Sequence, residues 1–354
     1  MLIERKVVAV EPDGVTYHLV KPKAFYEALG KRKTPQGTGV RDTTIDGYRA
    51  VAALGVVFAH AVDYRFAGVA PHYAQKLADP LSQTSVDLFF VISGYIITTL
   101  LLKERERTRQ ISIASFYIRR ACRIIPPLAA VLFTVSALRL ADAHSLEMAS
   151  TFTCNMGDCQ WFTAHTWSLS VEEQFYLVWP MLLVMVNPRP AKILAATAIL
   201  LLGFLVMPFA WHSNYISFAC IGSGALYASA PNLRHSVEHY KSDGAWLAVA
   251  AFLVLAPLYL PLKFEAIIPA TILFLLFATP HPVKRLLASR PIQVLGLCSY
   301  SIYLWQQLFL GRESTLSIWL FPVAVTGSVL LIERPFIRLG KRLSQPAAMG
   351  LAAR

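Results

Sequence analysis

Charge is scarce in this chain. Only 15% of its 354 residues are Asp, Glu, Lys or Arg, 55% are hydrophobic, and mean hydropathy is +0.49. Soluble domains carry about a quarter charged residues, so the shortfall excludes an ordinary soluble domain and points to an integral membrane protein. The strict apolar–polar alternation of a membrane barrel is also missing, which leaves α-helices as the spanning elements. Cysteine is sparse, at five, and shows no metal-ligand spacing, so neither a metal site nor a tightly bound cofactor is expected. No apolar core follows Met1–Lys6, so no signal peptide is expected. No internal repeat is visible.

What is abundant is positive charge of a particular placement. The formal charge is +12. In a membrane protein this reflects basic cytoplasmic loops rather than a nucleic-acid partner. Apolar runs near the ~20 residues that a bilayer core requires predict about ten spans. They fall at 47–64, 85–102, 122–140, 169–187, 192–211, 214–230, 244–261, 264–280, 292–310 and 315–333. With the N-terminus inside, only Arg65, Lys76, Arg139, Lys263 and Arg312 of the 33 basic residues lie in outer loops. That bias places both termini in the cytoplasm. The expected organisation is a cytoplasmic extension at 1–45, an all-α polytopic membrane domain at 46–342 and a tail at 343–354.

The polar residues within or beside these spans form two sets. His60 lies near the outer end of the first span and Asp87 opens the second. Glu172 and Glu173 stand in the stretch Thr166–Pro180, where an apolar run begins, and Gln306 and Gln307 lie toward the outer end of the ninth. An intramembrane carboxylate is costly unless it faces a polar cavity. The alternative for the Glu pair is a helix start, with Ser168 or Ser170 as cap. Asp63 follows His60 by three residues, within reach of its ring. The second set is basic and inner: Arg49 in the first span, and Arg119, Arg120 and Arg123 before the third. Arg120 and Arg123 share one helix face and suit phosphate oxygens, or anchor the helix to anionic lipid. Arg49, Ala53, Val56 and His60 form a stripe, with its ends ~16 Å apart.

Cys154 and Cys159 close a short loop on the oxidising side, either as a disulfide or as free thiols. Cys122, Cys220 and Cys298 read as packing residues. Gly222, Ser223 and Gly224 read as a close helix contact.

Six stretches, in order, resemble the acyltransferase 3 family of membrane acyltransferases. They are Ile45–Ala52 leading to His60, Val86–Gly94, Phe116–Pro126, Thr166–Pro180, Ser299–Trp305 and Glu333–Phe336. The resemblance runs from about residue 45 to 342. It implies an O-acyltransferase of about ten spans in the bacterial inner membrane. Such an enzyme takes acyl groups, often acetyl, from cytoplasmic acyl-CoA as co-substrate and passes them to hydroxyls of a surface glycan or glycoside. His60 is then the leading catalytic residue, Arg120 and Arg123 a donor site that Arg119 and Arg49 extend, and Glu172 and Glu173 the span-four acidic pair. The chain departs in the ninth span. Gln306 and Leu308 stand where many members have His and, shortly after, Pro, which removes the basis for a two-His mechanism. Gln306 and Trp305 are expected on the acceptor side. A chain without the extra-membrane hydrolase-like domain of some members is also expected.

An alcohol is a poor nucleophile at neutral pH, so transfer needs a base, and His60 is the residue for it. Glu173 is the first choice to orient its ring, with Glu172, Asp63 or Asp87 as substitutes. Alternatively His60 takes the acyl group itself and relays it outward. Two rivals remain from other classes. One is a proton-coupled secondary transporter using His60 and the carboxylates. The other is an acyl-CoA-binding scaffold without chemistry.

Overall fold

The computed structural model describes residues 42–185, 212–239, 242–259, 267–311, 314 and 316–344. These elements belong to one unit beginning at Thr43, and every regular element among them is helical. In chain order they are α1 (Thr43–His60), α2 (His72–Thr108), α3 (Ile113–Ala137), α4 (Ala143–Ser150), α5 (Trp161–Ala164), α6 (Thr166–Met185) and α7 (His212–Ser229). Then come α8 (Pro231–His239), α9 (Asp243–Tyr259), α10 (Ile268–Phe277), α11 (His281–Leu287), α12 (Arg290–Leu310), α13 (Phe321–Gly327) and α14 (Arg334–Leu343).

Four helical stretches are long and apolar enough to cross a membrane: Thr43–Arg65, His72–Thr108, Ile113–Ala137 and Ile318–Leu343. The first extends α1 by a π-helical turn, Ala61–Arg65. Apolar side chains on the outer surface of these stretches are bare, among them Phe58, Phe133, Val323 and Leu331, as lipid contact requires. This is a multi-pass membrane protein whose regular elements, among the described residues, are all helical. The expected spans 169–187, 214–230, 244–261, 264–280 and 292–310 overlap α6, α7, α9, α10 and α12, while 192–211 lies outside the described residues.

Local signals explain the boundaries. Residues 85–102 are only the middle of α2, whose 37 residues at 1.5 Å each span ~55 Å, well beyond a ~30 Å hydrocarbon core. α2 stops at Arg109, which adopts φ 62° and returns its N–H to the Arg105 carbonyl. α3 starts nine residues before the expected span because Ser112 caps it, accepting from the Ser115 N–H. That start places Arg119, Arg120 and Arg123 inside the helix. Asp142 caps α4 through the Ser145 N–H at 2.7 Å, and this bond holds its carboxyl below the usual range.

Glycine sets the closest helix approach. A Cβ at Gly94 of α2 would lie 1.8 Å from the Ile221 carbonyl oxygen, and one at Gly224 of α7 would lie 2.0 Å from the Val91 oxygen. The two helices therefore meet backbone to backbone, as the Gly222–Gly224 patch led one to expect. α3 and α6 run antiparallel, with the Tyr117 hydroxyl donating to the Leu177 carbonyl at 2.6 Å. Buried Trp179 of α6 donates to Thr98 of α2 at 2.8 Å. One apolar cluster lies around Phe90, Phe175, Trp179 and Tyr227, and a second around Leu128, Val131, Leu304 and Leu308. The polar residues of interest lie between them.

The loop from α4 to α5 is pinned in place. Cys154 and Cys159 are joined as a disulfide. The side-chain amides of Asn155 and Gln174 exchange reciprocal hydrogen bonds, each NH2 donating to the other's oxygen, at 3.0 and 2.9 Å. The free thiols Cys220 and Cys298 are buried and Cys122 is partly so. The pinned loop leads straight into Trp161.

Candidate active site

Two cavities meet at a partition of three side chains, Val86, His165 and Tyr303, which line both. One, of about 120 Å³, is walled by α1, α2, α3, α6 and α12 and contains Arg49, Arg120, Arg123 and Glu172. The other, of about 240 Å³, contains His60, Tyr64, Gln83, Trp161, Trp167 and Gln307. Arg49 thus opens on the arginine cavity, while Val56 and His60, further along α1, open on the histidine cavity. The stripe expected on that helix borders both.

In the arginine cavity the guanidiniums are not equivalent. Arg120 is engaged: it pairs with Glu173 at 3.6 Å and lies 3.8 Å from the centroid of the Tyr176 ring. Arg49 and Arg123 make neither a hydrogen bond nor an ion pair among the described residues, and each is close enough to feel the other's charge. Glu172, the carboxylate of this cavity, accepts from the Ser93 hydroxyl at 2.5 Å. Ser299 lines the cavity with a buried hydroxyl that has no hydrogen-bond partner among the described residues. Arg49 also feels the charges of Asp46, Glu172 and Glu333; with donors that no described group takes, Arg49 and Arg123 can still donate to an anion.

In the histidine cavity, His60 Nδ1 lies 3.3 Å from Gln306 Oε1. As Gln306 is placed, Nδ1 carries the proton and donates, leaving Nε2 as the basic nitrogen. His60 meets Tyr64 and Trp161 edge to face, at centroid distances of 5.9 and 5.5 Å. His165, in the partition, is held by Gln307 Oε1 at 2.5 Å from Nδ1 and the Leu304 carbonyl at 3.0 Å from Nε2. The Tyr303 hydroxyl donates to the His165 carbonyl at 2.9 Å and lies 2.6 Å from the Ser168 hydroxyl.

The structure corrects several expected positions. Glu173 does not orient His60. α6 begins at Thr166 and α3 at Ile113, so Glu173 and Arg120 each lie seven residues, ~10 Å, inside opposite ends of an antiparallel pair and meet there. The charge of Arg120 captures Glu173, and His60 is left with a neutral amide. Glu172 likewise belongs to the arginine cavity. Asp87 is fully buried, accepts from Gln83 one turn earlier at 3.2 Å and lines neither cavity. Arg119 turns away to pair with Glu104 at 3.3 Å. Trp305 packs against the α3–α12 apolar cluster rather than either cavity. Gln306 is fully buried behind His60 rather than bordering the open space.

Sequence reasoning missed His165, Tyr303 and Trp161. The first directly precedes the Thr166–Pro180 stretch and the second lies inside Ser299–Trp305. Carboxylates in an apolar run carry the stronger signal, whereas a histidine just before one motif and a phenol inside another do not stand out. Trp161 carries no polar pattern that would single it out.

Two adjoining cavities, one lined by arginines and the other by histidine, thus lie inside a multi-pass helical bundle. The chain belongs to the acyltransferase 3 family, whose acyltransferase domain matches residues 42–332. It is 27% identical over 312 residues to a Staphylococcus aureus protein named "Putative O-acetyltransferase", covering 74% of this chain and 49% of that protein. It is also 27% identical over 312 residues to the "Putative peptidoglycan O-acetyltransferase YrhL" of Bacillus subtilis, covering 74% and 47%. The "Peptidoglycan O-acetyltransferase OatA" of Listeria monocytogenes is 23% identical over 362 residues, covering 83% and 54%. The chain thus spans about half the length of the curated relatives it matches. No solved structure matches it.

Proposed function

We propose that this chain is an O-acyltransferase that moves an acyl group, acetyl in the simplest case, from acyl-CoA to a hydroxyl of a carbohydrate or glycosylated acceptor. The observation that carries this reading is the meeting of two unlike cavities at one thin partition. Arg49 and Arg123 offer free guanidinium donors to phosphates of the donor. His60 offers a basic nitrogen on the other side. The names of the relatives support a glycan acceptor. Both termini are cytoplasmic and the chain crosses the membrane about ten times, with residues 1–45 and 343–354 flanking the catalytic domain at 46–342. The arginine cavity then faces the cytoplasm.

The reaction balances without a further reagent. The acceptor oxygen bonds to the acyl carbon, the carbon–sulfur bond breaks, and CoA leaves as thiolate. His60 Nε2 takes the hydroxyl proton and returns it to the thiolate. In the relay version Nε2 itself attacks the thioester and expels CoA as thiolate; the acceptor hydroxyl then displaces imidazole from the acyl carbon, and the freed Nε2 takes the hydroxyl proton and passes it to the thiolate. Gln306 orients the ring in either route. The carrier reading is weakened because Glu172 and Glu173 are gathered around arginines and not aligned with His60 as a proton path.

The donor assignment has a direct test. In an Arg49→Gln/Arg123→Gln protein, KM for acetyl-CoA is expected to rise about tenfold or more, with acceptor KM within about twofold of wild type. Unchanged donor KM in a well-inserted protein would return these arginines to a lipid-anchoring role.

A further inference from the structure

The histidine cavity differs from its neighbour in one respect that bears on its ligand. None of the described residues lining it is Asp, Glu, Lys or Arg, whereas three arginines and a glutamate line the other. No charged side chain forms its wall, although Asp79 lies close enough for its charge to act on His60. The walls offer instead aromatic faces, and Ser82 and Gln83 supply a hydroxyl and an amide. Tyr64 and Trp161 lie against each other, ring centroids 3.9 Å apart at 45°, and both turn toward His60. Trp161 is fixed in place. Its indole N–H donates to the Gln307 carbonyl at 3.2 Å, and it sits over Gly311, where a Cβ would come within 2.5 Å of the indole nitrogen. The pinned Cys154–Cys159 loop holds the chain just before it. An immobile aromatic face costs little entropy to bind against.

We infer that Tyr64 and Trp161 form the acceptor subsite and bind the apolar face of an uncharged sugar ring, a hexopyranoside. The positive C–H edges of such a ring complement the negative π faces, its hydroxyls take Ser82 and Gln83, and one hydroxyl is delivered to His60. This inference rests on the acyltransferase reading. It assigns the aromatic pair a selectivity role for rings over open-chain alcohols.

The test compares methyl N-acetyl-β-glucosaminide with sorbitol as acceptors for labelled acetyl-CoA, using the full-length chain in lipid nanodiscs. Wild type is expected to prefer the pyranoside. Trp161→Ala should raise the pyranoside KM about tenfold, leave the acetyl-CoA KM unchanged and erase the preference over sorbitol, whereas Trp161→Phe should keep most of it. An unchanged pyranoside KM in Trp161→Ala, or an equal loss with both acceptors, overturns the inference while leaving the acyltransferase reading intact. Should wild type transfer to neither acceptor, that reading is what fails. The subsite is then decided by calorimetric titration with the methyl glycoside: binding by wild type that Trp161→Ala lacks supports it, and no binding by wild type overturns it.

Discussion

Replacing His60 with Ala is expected to lower kcat by about 100- to 10,000-fold, the usual worth of general-base help, while acetyl-CoA binding stays close to wild type. The separation follows from geometry. His60 opens on one cavity and the free arginines Arg49 and Arg123 open on the other, with Val86, His165 and Tyr303 between. His60→Gln, which keeps an amide where the ring was but removes the base, should be as impaired. The measurement is steady-state turnover of labelled acetyl-CoA alongside donor binding by calorimetry. Retention of more than about a tenth of the turnover would contradict both the base and the relay route, since either requires a far larger loss. Single-turnover quench without acceptor then separates the two, because only the relay accumulates labelled acyl-imidazole at His60.

The second large effect concerns stability. Arg120 and Glu173 are one ion pair set inside the bundle, with their side chains only 19% and 20% exposed. Arg120→Met strands a carboxylate in a low-dielectric site, which costs about 3–5 kcal/mol. Arg120→Met/Glu173→Gln removes the stranded charge and should recover most of that loss. Thermal melts of the detergent-purified proteins report both. A single variant as stable as wild type, or a double variant no better than the single, would show that the pair does not hold α3 to α6. The same logic explains why Arg49 and Arg123, rather than Arg120, are the informative positions for donor affinity. Arg120 is already committed to Glu173 and the Tyr176 face, so its removal disturbs packing as well as any ligand.

Much of this arrangement was legible in the sequence. Hydropathy alone reads an all-helical membrane protein, and the i to i+3 spacing of Arg120 and Arg123 reads a shared helix face. The Gly222–Gly224 patch reads a close contact, which Gly94 and Gly224 make. The partner choice of each charge was not legible. A span beginning at residue 169 sets Glu172 and Glu173 at the depth of His60. Starting the helix at Thr166 and α3 at Ile113 moves carboxylate and guanidinium toward each other by a turn or more, and charge attraction decides the pairing. Asp87 looked available in sequence, yet α2 turns it away from both cavities. Which side of a long apolar helix faces a cavity depends on its neighbours, and that information lies in distant segments. The same holds for Trp161 and Tyr303, whose aromatic rings are indistinguishable in sequence from ordinary packing residues.

The proposed reaction carries an acyl group between two sites on opposite sides of a partition. It is tested most directly in sealed proteoliposomes holding the chain in one orientation, with membrane-impermeant labelled acetyl-CoA on one face and methyl N-acetyl-β-glucosaminide on the other. Labelled ester is expected in the acceptor compartment when acetyl-CoA is on the side of the arginine cavity, and none when the two substrates are exchanged. Labelled ester formed only when both substrates share one face would contradict it.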